Sequence, residues 1–156
     1  MIQLLFALSF FFVIAPIMTL LHEAGHALIP LLSQEPVRVF VGCVQGTGLK
    51  AANLEIGYCS PWTPWVGYTT WGGVSGVLHS LLGPIFSFLI ASLFLLIRSR
   101  LRNRNQRSLL LACAGWAFFQ FVFTVLPLNY LPMFGYPAGT ASDGKIALEL
   151  IRAQHP

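Results

Sequence analysis

Three apolar runs decide most of what this chain can fold into. Ile2 to Leu21 continues with little interruption to about Leu32, Val77 to Ile97 forms a second run, and Leu109 to Leu128 a third. Each reaches the roughly 20 residues that a helix needs to cross a hydrocarbon core. Water-soluble domains carry about a quarter charged residues. Here the share is 9%, against 56% hydrophobic. The expectation is an α-helical integral membrane protein, a single membrane-embedded unit over residues 1–156 with spans at about 2–32, 77–97 and 109–128. The first run has no basic segment before it, is too long for a signal-peptide core and lacks a small-residue cleavage site after it. It is therefore expected to stay in place as a span.

Charge supplies an orientation. Arg98, Arg100, Arg102, Arg104 and Arg107 lie in the short loop between the second and third runs, and make up five of the nine basic residues. Basic residues gathered in a short inter-span loop mark the cytoplasmic side, so the net charge of +4 calls for no nucleic-acid partner. The amino terminus is then cytoplasmic and residues 33–76 lie on the far side. A multi-pass protein of a bacterial cytoplasmic membrane, with the lipid bilayer as its constant partner, fits this pattern.

Residues 35–73 change character. Val37, Val39 and Val41 alternate with Arg38, Phe40 and Gly42, which is a strand period. QGTG at 45–48 reads as a turn, and Leu54 to Tyr58 as a second extended run, so a small β-hairpin-like insert is expected after the first span. Trp62, Trp65, Tyr68 and Trp71 among prolines and glycines suit a loop at headgroup level. Cys43 and Cys59 share this insert and could pair if it faces an oxidising compartment. Without a spacing that marks a bridge or a metal site, free thiols are the expectation. Beyond the third run, Asn129 to Gly144 is broken by Pro and Gly. Lys145 to Gln154 then reads as a short amphipathic C-terminal helix with Ile146, Leu150 and Ile151 on one side.

Chemistry concentrates in the first run. His22 and His26 are four apart, so a helix stacks both imidazoles on one face, close enough to share a metal. Glu23 sits beside them, where it can reach a metal-held water without ligating, which is the logic of H-E-x-x-H zinc hydrolases. Ionisable groups in an apolar run need such a partner. A hydrolytic zinc takes three protein ligands and keeps one position open. The remaining candidates are Glu35, Glu55, His79, His155 and Asp143. Asp143 is the only aspartate, and the segment carrying it returns from the third run on the side where the first run exits past His26. Its placement favours it.

HEAGH (His22–His26) in the first run, GPIFS (Gly83–Ser87) in the second, and Asn129-Tyr130-Leu131-Pro132 followed by Ser142-Asp143-Gly144 resemble the site-2 protease family of intramembrane zinc metalloproteases. The resemblance covers nearly the whole chain in the family's order. It implies one zinc per chain held by His22, His26 and Asp143, water activation by Glu23, and Asn129 placing the substrate backbone or its oxyanion. Ser87 stands where the family often has Asn, and is expected to contact substrate as well. The chain departs from the family between Pro132 and Asp143, where the spacer is longer than the commonest form. Residues 133–142 must loop out for Asp143 to reach zinc. Well-known members open the site toward the cytosol, opposite to what the arginine loop implies here. No PDZ-like or CBS-like domain is evident, so a bare catalytic core is expected.

The activity implied is a zinc endopeptidase that hydrolyses a peptide bond within or near a transmembrane or signal-like helix of a membrane protein. A helix hides its peptide bonds, and an unwound segment needs hydrogen-bond partners inside a membrane. Val37, Val39 and Val41 are expected to hold it by strand-edge pairing. The alternative is a catalytically silent relative that binds membrane helices as a chaperone or regulator. Glu23 argues against that, since a binding protein needs no base beside its metal.

Overall fold

The computed structural model describes residues 7–43, 46–58, 63–73 and 76–154. Cys59, Trp62 and His155 lie outside them. Among the described residues, three helices are long and apolar enough to cross a membrane: Ala7–Leu32, Val77–Arg100 and Arg104–Val125. In the first, a π-helical turn at Phe10–Ile14 leads into α1, Ala15–Leu32. α2 is Val77–Arg100 and α3 is Arg104–Val125. The arginine-rich segment is thus mostly helix. Only residues 101–103 separate α2 from α3, and Asn103 Oδ1 caps α3 by accepting from the N–H groups of Asn105 and Gln106. Arg98 and Arg100 close the last turn of α2, where positive charge suits the helix dipole.

The insert is a four-stranded sheet rather than a hairpin. Its strands are β1 (Val37–Val41), β2 (Thr47–Ala51), β3 (Leu54–Tyr58) and β4 (Gly67–Trp71), in the spatial order β2-β3-β1-β4. β2 and β3 form an antiparallel hairpin, which turns tightly at Ala52 with a positive φ of 50°. β3 then runs parallel to β1, and β4 pairs antiparallel on the other side of β1. Val37 and Val39, 1% and 2% exposed, pack with Ala27 of α1. That small core seats the sheet on the helix that carries His22 and His26. Cys43 is disulfide-bonded rather than free. Cys113 is free and buried in α3.

After α3 the chain makes one short 3-10 turn, Pro132–Phe134, and ends in α4, Asp143–Gln154. α4 starts two residues earlier than the periodicity of its apolar side suggests. Gly144 explains how closely it docks: a Cβ there would run into the Val125 carbonyl oxygen at the end of α3.

Candidate metal centre

His22 and His26 lie one helical turn apart on α1, with ring centroids 5.1 Å apart. Each ring has its Nδ1 engaged. His26 Nδ1 lies 2.7 Å from the His79 carbonyl oxygen, and His22 Nδ1 lies 2.9 Å from Ser87 Oγ. A carbonyl can only accept, so His26 carries a proton on Nδ1 and presents Nε2 toward Asp143. Asp143 Oδ2 faces both rings, 3.3 Å from His22 Nε2 and 3.4 Å from His26 Nε2. The three side chains offer ligand atoms that all lie within 4.8 Å of one another, a group that could hold a metal ion.

The donor set fits a zinc. A cation between the three side chains would be met by the two Nε2 atoms and the facing carboxylate oxygen. Two imidazole nitrogens and one carboxylate oxygen are ligands that zinc accepts, with a position left for water. Burial alone would raise the Asp143 carboxyl. The facing His26, with His22, outweighs it and holds the group below the usual carboxylate range.

Several elements aim these groups. Gly83 lets α2 pass close to α1, since a Cβ there would collide with the His26 imidazole. Ser142 fixes Asp143 from the other side: its N–H donates to the Leu128 carbonyl at 2.9 Å, and its hydroxyl caps the Lys145 N–H at 3.2 Å. The long spacer is no obstacle. The Tyr130 N–H donates to the Thr140 carbonyl at 2.8 Å, and Asn129 bridges to Ala141. The chain leaves and returns at one point, and residues 131–139 loop out without displacing Asp143.

Glu23 stands beside these three side chains and outside the cluster. Thr69 Oγ1 of β4 donates to its Oε2 at 2.7 Å. Glu23 is buried and lines a cavity of about 620 Å³ together with His22, His26 and Asp143. Trp65, Tyr68 and Trp71, expected at headgroup level, line the same cavity, as do Trp116, Phe119 and Gln120 of α3.

Not every expected site residue arrives. Asn129 is exposed and its Oδ1 accepts from Lys145 Nζ at 2.8 Å; it does not line the cavity. Ser87, 1% exposed, is turned to His22 and supports a ligand instead of touching the cavity. Val37, Val39 and Val41 lie on an interior strand whose two backbone edges are already paired, so β1 offers no edge to a guest. The edge near the centre is β4. Gly42 N–H bonds to the Val66 carbonyl at 2.7 Å, and with Val41 opposite Gly67 this makes Gly67, Thr69 and Trp71 the residues whose backbone groups point away from β1. Thr69 was the residue hardest to foresee, since its strand lies within a Pro-, Gly- and Trp-rich stretch. His79 contributes its carbonyl to His26, while its ring stacks on Trp71 at 5.4 Å.

No family model matches the chain, and neither a curated protein nor a solved structure matches it.

Proposed function

We propose that this chain is an intramembrane zinc endopeptidase of the kind its motifs resemble, embedded in a membrane by α1, α2 and α3. One observation carries the reading: two ring nitrogens and a carboxylate oxygen converge at a buried point while a fourth ionisable side chain, Glu23, is held just beside them. A purely structural ion would need no such neighbour. Bound zinc would supply a water of lowered pKa and polarise the scissile carbonyl.

The rest falls to the chain itself. Glu23 takes the proton of the attacking water and passes it to the departing amine. Thr69 keeps the Glu23 carboxylate turned toward the cavity. The outward N–H and C=O groups of Gly67, Thr69 and Trp71 give an unwound substrate segment a strand to pair with. Trp65, Trp116 and Phe119 make an apolar wall for its side chains and keep bulk water out.

Purified protein in lipid, given a synthetic transmembrane peptide, is expected to cleave it, to stop when zinc is chelated, and to resume when zinc is restored. Glu23→Gln should retain zinc and lose about 1,000-fold in rate, within the range of a lost general base. A Glu23→Gln protein as active as wild type would end the proposal. Helix binding without cleavage by wild type would favour the silent relative.

A further inference from the structure

The displacement of Asn129 leaves the reaction without the oxyanion donor that its motif implies, and the looped-out spacer brings another group to the same cavity. Tyr136 lies in that spacer and lines the cavity with Glu23 and Asp143. Its ring stacks on Tyr130 at 4.4 Å, and Tyr130 stacks in turn on Phe123 of α3 at 5.5 Å. Trp65 Nε1 donates to the Phe134 carbonyl at 3.0 Å, which pins the spacer to the segment leading into β4. The Tyr136 hydroxyl oxygen faces the backbone of Gly67. Those backbone groups point off the free edge of β4, and Gly67 lies directly against the Glu23 carboxylate.

We propose that Tyr136 is a catalytic residue, its phenol O–H donating to the oxyanion that forms when water adds to the scissile carbonyl. The inference rests on the hydrolytic reading above. In the addition step the water oxygen bonds to the carbonyl carbon, Glu23 accepts the water proton, and the C=O π pair moves onto oxygen. The new oxyanion accepts from Tyr136. When the C–N bond breaks, that pair returns to re-form the carbonyl and Glu23 protonates the leaving nitrogen. Tyr136 keeps its proton throughout. A phenol is suited to this because its O–H is a donor that stays protonated at neutral pH. Burial, aided by the Glu23 charge, raises its pKa above the usual phenol range and keeps that hydrogen in place.

Zinc content, KM and kcat on a synthetic transmembrane peptide, and affinity for a phosphinic peptide that mimics the tetrahedral state should be measured for wild type, Tyr136→Phe and Tyr130→Phe. Tyr136→Phe keeps the ring stack. It is expected to bind zinc and substrate as wild type does, to lose about 100-fold or more in kcat, as when other oxyanion donors are removed, and to bind the phosphinic peptide correspondingly more weakly. Tyr130→Phe should stay near wild type. Wild-type kcat in Tyr136→Phe would overturn the proposal, as would a lower KM at unchanged kcat, which would make the hydroxyl a cap on the β4 edge. A loss confined to Tyr130→Phe would assign the role to Tyr130. A wild type without zinc and without cleavage would overturn the hydrolytic reading itself, and this inference with it.

Discussion

At position 87 a hydroxyl meets His22 Nδ1 at 2.9 Å, in a site that is almost closed to solvent. A partner on the far nitrogen fixes which nitrogen of an imidazole faces a metal, and losing such a partner usually weakens binding by about 10–100-fold. Ser87→Ala is expected to fall in that range by chelator competition, with Ser87→Thr recovering most of the affinity. An unchanged Ser87→Ala would leave Ser87 as packing alone. The cluster itself was legible, because the His22–His26 pair follows from spacing on a helix and Asp143 from being the sole aspartate on the right side. Partnerships were not legible. Whether Ser87 meets substrate or His22 depends on how α2 is rotated against α1, and whether Asn129 faces the cavity depends on Lys145 of the next helix reaching it first.

Among the elements, β1 shows a similar division. Its alternation could be read directly from Val37, Val39 and Val41, but an edge or an interior place belongs to the whole sheet. β3 and β4 took both sides of β1, and β4 hid in GYTTW, where glycine and two threonines mask any apolar period. The free edge beside the metal centre is therefore the last strand of the sheet. A guest strand on β4 would use the outward groups of Gly67, Thr69 and Trp71, which recur at every second residue. Synthetic substrates N-methylated one residue at a time should show KM raised at alternate positions, with the positions between them little affected. A uniform response along the peptide would mean that β4 does not hold the substrate.

For the molecule as a whole, the arginines gather at one end of the α2–α3 pair, while the sheet, the metal centre and α4 follow from the other ends of the helices. Arginines in a short loop favour the cytoplasm. The disulfide at Cys43 points the same way, because such bonds persist on the oxidising side of a membrane. Both features oppose the orientation usual in the family that the motifs resemble. A single cysteine introduced at Asn103, with Cys43, Cys59 and Cys113 replaced by Ser, should react with an impermeant maleimide only after the cells are opened. Reaction in intact cells would reverse the orientation.

The account rests most heavily on the metal, and zinc-edge X-ray absorption of the purified protein tests it directly. It should find about one zinc per chain with only nitrogen and oxygen neighbours, at roughly 2.0–2.2 Å, and a histidine scattering pattern that is altered in Asp143→Ala. Protein purified without zinc and unable to take it up would contradict the account, and so would sulfur at roughly 2.3 Å, which would move the metal away from His22, His26 and Asp143.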